Sequence, residues 1–194
     1  MYWDVYGSRI NMNEPIWVNY HKHTSLSNRY MKDSPLLPID YWNELKARYG
    51  DKPCIYTTVE HGWAGNYFKQ YDDLEKFNKK NGTNIRWIYG AEAYWVKDRH
   101  ESDKSNCHIV LLARTDKGRK AINKILSIAN KDGYYARPRI DLELIDQLPY
   151  DDVMITTACV AFWNKYDDIA DIVRHLAESF PHFYLEVQAH NTPE

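Results

Sequence analysis

Cysteine is scarce: Cys54, Cys107 and Cys159 are the three in 194 residues, and they lie far apart. An odd, dispersed set excludes a disulfide framework and points to a reducing compartment. No uninterrupted apolar run is long enough to span a bilayer. The opening, MYWDVYGSRINMNEP, carries Asp4 early and lacks an apolar h-region, so it does not read as a signal peptide. A cytoplasmic protein with no membrane partner is therefore expected. An excess of one charge is also lacking. The formal net charge of -2 leaves no broad basic footprint, so any phosphate-bearing ligand needs a local site. Repeats, linkers and low-complexity tracts are absent as well. What remains, 44% hydrophobic and 27% charged residues, suits one domain with a real core. Its 16 tyrosines and 7 tryptophans are scattered, which favours core filling over base stacking.

Strand-like and helical patterns alternate along the chain. The run Ile16–Tyr20 is a strand candidate leading directly into HKHTSLSN. Helices are predicted for PIDYWNELKARYG, NYFKQYDDLEKFNKKNG, TDKGRKAINKILSIAN and KYDDIADIVRHLAESF, each with apolar residues at helical spacing. Strands are predicted for CIYTTV, IRWIYGAEAYWV (interrupted by Gly90), CHIVLLA, DVMITTACV and HFYLEVQ. Such alternation predicts an α/β fold with a largely parallel sheet, open or closed into a barrel. The first 15 residues read as an extension and 16–194 as the domain.

In folds of this class, function collects where strands end. A lone H-x-H, His21 and His23, is more simply a polar strand end. However, Glu60 and His61 follow the second strand, and Cys159 follows a later one. Ligand-type side chains at several strand ends favour a metal site over solvated surface. His108 opens its strand instead of closing it. The preceding WVKDRHESDKSNC is polar and without helical period, so a hairpin is expected in place of a parallel crossover. An antiparallel pair brings His108 beside Glu92.

The ordered set HKHTSLSN, VEHG, GAEAYW, HIVLLA, YARPRID and TTACVA, closed by FYLEVQAHNTPE, resembles the polymerase-and-histidinol-phosphatase (PHP) domain. In particular it resembles the form that begins DNA polymerase III alpha subunits of bacteria and phages. The resemblance implies a distorted seven-stranded (β/α) barrel, here lacking its last strand, with a cluster of divalent ions at one end. It implies metal ligands at His21, His23, Asp33, His61, Glu92, His108 and Cys159. Glu60 stands where the family has Asp and is expected to orient His61 through its second nitrogen. His61 and Glu60 are thus the catalytic candidates. The family's final Asp and His find no match here, so a fragment or split product is expected, completed by the rest of the polymerase or by a second copy.

Four His, one Cys and two carboxylates exceed one tetrahedral ion, so two to three ions are implied, zinc with manganese or iron as alternatives. Such a centre suits phosphoester hydrolysis, including a 3′–5′ exonuclease acting on DNA. Arg137 and Arg139 are candidates to hold phosphates, against a bland reading as solvated loop arginines. Two rival readings are a catalytically inactive scaffold of the replicase and a stand-alone histidinol-phosphatase-like enzyme.

Overall fold

The computed structural model describes residues 18–105, 107–158 and 160–188, together with the backbone of a short pair, β1 (Tyr2–Trp3) and β2 (Arg9–Ile10). After an irregular segment carrying His21 and His23 comes α1 (Pro38–Tyr49). Pro38 is pre-set for a first turn, and the Asp40 carboxylate accepts the Leu37 N–H at 2.7 Å. β3 (Pro53–Thr58), α2 (Tyr67–Asn81), β4 (Asn84–Trp95), β5 (Cys107–Ala113) and α3 (Asp116–Lys131) follow. Thr115 caps α3 by accepting the Gly118 N–H at 3.1 Å. The chain continues through β6 (Tyr134–Tyr135), β7 (Arg137–Ile140), α4 (Leu142–Ile145), β8 (Val153–Thr156), α5 (Ile169–Ser179) and β9 (Phe183–Tyr184).

The main sheet is seven-stranded, ordered β6-β7-β4-β5-β8-β9, with β3 pairing the first half of β4. It is mixed, not largely parallel. β4 runs parallel to β3 and β7, while β5 is antiparallel to both β4 and β8. The predicted hairpin is present, pairing Tyr94 with His108 and Trp95 with Cys107. Among the described residues the sheet does not close into a barrel. Residues 18–20 of the first strand candidate are irregular, and Ile16 and Trp17 lie outside the described residues. Of HFYLEVQ, only β9 pairs, parallel to β8.

Strand alternation divides the two faces of the central hairpin. Tyr89, Ala91, Ala93 and Trp95 join Cys107, Ile109 and Leu111 in the main core, against Ile122, Ile125 and Leu126 of α3 and Leu176 of α5. A smaller cluster packs α1 and α2 against β3, through Trp42, Tyr56, Leu74 and Trp87. The opposite face of the hairpin carries Glu92, Tyr94 and His108. Gly90 does not interrupt β4. A Cβ there would lie 2.5 Å from the Leu112 side chain and 2.9 Å from Val59, so the glycine permits close packing within a continuous strand.

Candidate metal centre

Three separate segments deliver side chains to one point beside Glu92. The chain leaving β3 pairs with β4: Glu92 N–H donates to the Glu60 carbonyl at 3.1 Å, and Gly62 N–H donates to the Glu92 carbonyl at 2.8 Å. This places His61 next to Glu92. Gly62 has φ +69°, and a Cβ there would come within 2.8 Å of Pro138 Cγ and 3.2 Å of the Tyr94 ring. A larger residue would push the His61 turn off β4. The β4–β5 pairing brings His108 to the same place, and the irregular segment 18–24 lays His21 and His23 over it.

The side chains then converge. Glu92 Oε2 is 3.3 Å from His21 Nε2, 3.0 Å from His23 Nε2 and 3.2 Å from His61 Nδ1. Its Oε1 is 3.1 Å from His108 Nδ1. The His23 and His61 rings stack at 4.4 Å, and Asp33 contacts His61 Nε2. Three overlapping groups, His21–His23–Glu92, His23–Asp33–His61 and His61–Glu92–His108, each bring their ligand atoms within 4.8 Å of one another.

Outer partners set how the imidazoles present themselves. Ser27 Oγ donates its one proton to buried Glu60, so it accepts from His23 Nδ1–H at 2.9 Å. A carboxylate can only accept, so His21 Nδ1–H donates to Glu186 Oε1 at 2.6 Å. Both rings therefore turn Nε2 inward, the arrangement by which carboxylates and hydroxyls orient metal-binding histidines. Glu92 Oε2 and His61 Nδ1 are fully buried, and neither makes an aligned hydrogen bond. Buried polar atoms are normally satisfied, so nitrogens crowding a carboxylate oxygen without bonding it suit a shared cation between them.

The charges around the centre agree with this. Burial would push the Glu92 carboxyl up, but the imidazoles of His108, His21 and His23 outweigh it and hold it well below the usual carboxylate range. Burial pulls His61 down to about 4, opposed by Glu92 and helped by the positive potential of His23 and His108. For His21, burial works downward, yet Glu186 and Glu92 carry it up to about 10. At neutral pH the metal-free centre thus holds on His21 a second ring proton that an incoming cation must displace, while His61 is uncharged.

Of the residues singled out in the sequence, His21, His23, Asp33, His61, Glu92 and His108 come together. Cys159 lies outside the described residues. Two expectations are corrected. Glu60 does not orient the His61 ring. Its carboxylate takes the Thr24 hydroxyl at 2.7 Å, the Thr24 N–H at 3.2 Å and the Ser27 hydroxyl, pinning the loop that carries His23. Arg139 does not face a ligand. It is buried and spends its guanidinium on the carbonyls of Gly133, Glu101, Asp103 and Arg99. Arg137 instead stays near the centre, its guanidinium 5.0 Å from the centroid of the Tyr94 ring.

Glu186 was not anticipated. Besides His21, it accepts from Tyr20 OH at 2.9 Å and Thr156 Oγ1 at 3.1 Å, while its own N–H donates to Thr157 Oγ1 at 3.0 Å. The acid inside the aromatic FYLEVQ segment was the available signal. Glu186→Gln is expected to weaken zinc binding by roughly 10- to 100-fold, the usual cost of losing an outer partner of a metal-binding histidine. A competitive chelator titration checks this, and an unchanged affinity would deny Glu186 that role.

An open α/β sheet bearing a buried histidine–carboxylate cluster defines a domain able to hold metal ions. The chain belongs to the PHP domain family, which it matches over residues 19–190. It is 32% identical to the DNA polymerase III subunit alpha of Aquifex aeolicus over 92% of this chain. Identity to the subunit of the same name is 28% in Borreliella burgdorferi over 68% of the chain, and 26% in Deinococcus radiodurans over 92%. The chain spans 16%, 12% and 14% of the length of those relatives. No helix among the described residues is long and apolar enough to cross a membrane.

Proposed function

We propose that this chain is the PHP domain of a polymerase III alpha-type replicase, phage-encoded or bacterial, and hydrolyses phosphodiesters at the 3′ end of a DNA strand. One observation carries the reading: two histidines fixed from outside by Ser27 and Glu186 turn Nε2 toward a buried Glu92 oxygen that no hydrogen bond satisfies. His21, His23, His61, Asp33, Glu92 and His108 would hold two or three divalent ions, zinc with manganese or iron as alternatives, with Cys159 as a further ligand. Bound ions of this kind supply Lewis acidity toward a phosphoryl oxygen and make water acidic enough to ionise near neutral pH. His61, uncharged at neutral pH in the metal-free centre, would present Nδ1 to an ion, and Asp33 at its Nε2 holds the ring in place. In the overall reaction, water adds to phosphorus and the P–O bond to the 3′ oxygen breaks. A nucleoside monophosphate leaves and the shortened strand regains its 3′ hydroxyl.

The test is release of mononucleotides from a 5′-labelled single strand by zinc- or manganese-loaded protein, compared with His61→Ala. A loss of about 10³-fold or more in the variant is expected, since several kcal/mol of charge stabilisation at 1.36 kcal/mol per tenfold correspond to that factor. Equal degradation by both proteins would favour an inactive scaffold. Rapid phosphate release from a small monoester with no action on DNA would favour a stand-alone phosphatase.

We also assign residues 16–194 to one PHP unit in a cytoplasmic replication complex. Beyond β9 the main sheet continues in no further strand among the described residues, and Tyr184, Leu185 and Val187 are exposed there. Unpaired edges are normally covered. Association through this edge, with the rest of a polymerase or a second copy, is expected, and a strictly monomeric species in light scattering would count against self-association.

A further inference from the structure

An open groove of about 480 Å³ is lined by Arg29, Tyr30, Lys104, Tyr134, Ala136 and Arg137. No acidic side chain lines it, although the chain as a whole carries a net charge of -2. Positive charge is therefore concentrated here against the general balance. Aromatic faces accompany the cations. Arg29 lies 5.2 Å over the Tyr30 ring, and the Tyr134 side chain is more than half exposed at 54%.

The groove lies near the histidine cluster, with the buried Tyr94 ring in contact with residues of both. The Tyr94 ring meets His61 at 5.7 Å and His108 at 4.9 Å. It also meets the groove residues Tyr30 at 6.1 Å and, at the guanidinium, Arg137 at 5.0 Å. Cations that follow a phosphate backbone, interleaved with rings on which bases stack, are the recurring design of single-strand binding surfaces.

We propose that this groove binds single-stranded DNA, seating a nucleotide on the 5′ side of the one cleaved. Arg29, Lys104 and Arg137 engage its phosphates, and Tyr134 stacks on its base. The inference rests on the proposed hydrolytic reading for the location of the strand's 3′ end. Its affinity arises outside the metal cluster and can be measured without metal.

The test is fluorescence anisotropy of a labelled 12-nucleotide oligo-dT with the full chain in excess EDTA, at a series of salt concentrations. Binding is expected for the unaltered protein. The double variant R29Q/K104Q is expected to bind at least about 10-fold more weakly. Its slope of log affinity against log salt should be shallower by about 1.4, since each phosphate contact with a single strand contributes roughly 0.7. Tyr134→Ala, an exposed position that does not burden folding, is expected to lose about five-fold or more through lost stacking. No binding by the unaltered protein, or affinity and slope unchanged in these variants, would overturn the proposal. So would displacement by thymidine monophosphate at the oligonucleotide's own concentration, which would mark a mononucleotide pocket. Groove-dependent binding without any hydrolysis by metal-loaded protein would remove the hydrolytic reading and leave the groove standing. Hydrolysis without groove-dependent binding would do the reverse.

Discussion

Replacing Glu92 with glutamine is expected to abolish metal-dependent hydrolysis, by about 10³-fold or more, while the chain still folds. Glu92 is where every inward-facing imidazole meets, with four ring nitrogens between 3.0 and 3.3 Å from its oxygens. An amide keeps the shape but loses the charge that draws cations into a buried, imidazole-lined space. The loss should also be visible thermally. A ligand at 100 times its dissociation constant stabilises the folded state by about 2.7 kcal/mol. For a chain of this size that raises the melting temperature by roughly 5 to 10 °C. The unaltered protein should show this shift on zinc addition and the variant should show almost none. A full zinc-induced shift in Glu92→Gln would mean that cations bind elsewhere. The metal-free proteins should differ in pH dependence too. The His21 imidazole has its ordinary value of 6.5 raised to about 10, so its stabilising contribution is complete below pH 6.5 and fades as the pH climbs toward 10. With one of its two acidic partners removed, that alkaline decline should be smaller in the variant.

Arg139→Met is expected to lower stability by about 3–5 kcal/mol without changing zinc binding in the cold. The Arg139 guanidinium is buried and donates to Gly133 O at 2.9 Å, Glu101 O at 2.7 Å, Asp103 O at 2.9 Å and Arg99 O at 2.5 Å. Methionine fills much of the stem's volume but offers no donor, leaving these carbonyls to lose their partner at about 1–3 kcal/mol for each that water cannot reach. This side chain ties the loop from Arg99 to Asp103 to β7, beside the Arg99–Asp141 pair just past the strand. At roughly 2–4 °C per kcal/mol, the melting temperature should fall by about 10 °C in calorimetry. A phosphate-binding arginine would behave in the opposite way, weakening substrate binding and leaving the melting temperature nearly unchanged.

The two arginines show where the sequence stops being informative. In YARPRID they look alike, and both suit phosphate binding. Their separation depends on a left-handed Ala136 at φ +61° and on the 99–103 loop folding around one guanidinium but not the other, a contact about 40 residues away in sequence. β6 and β7 escaped notice for a related reason, being two and four residues long with Pro138 in the second. Local pattern did suffice where one residue's neighbours decide its place. The polar, aperiodic stretch after Tyr94 forced a hairpin, and the hairpin's alternation set His108 beside Glu92. Glu186 required knowing that the segment after β9 runs on past Thr156 and Thr157 toward His21. Glu60 was legible as an important acid, but its target was not. Whether a carboxylate turns to the ring after it or to a loop 36 residues earlier is decided by packing.

The central claim is that His21, His23, His61, Glu92 and His108 enclose cations, and anomalous diffraction at the zinc edge from zinc-soaked crystals tests it directly. The expected result is strong peaks between these side chains, within about 2.0–2.3 Å of imidazole nitrogens and carboxylate oxygens. A map empty at Glu92, with the same imidazoles turned to solvent or bonded only to one another, would contradict it.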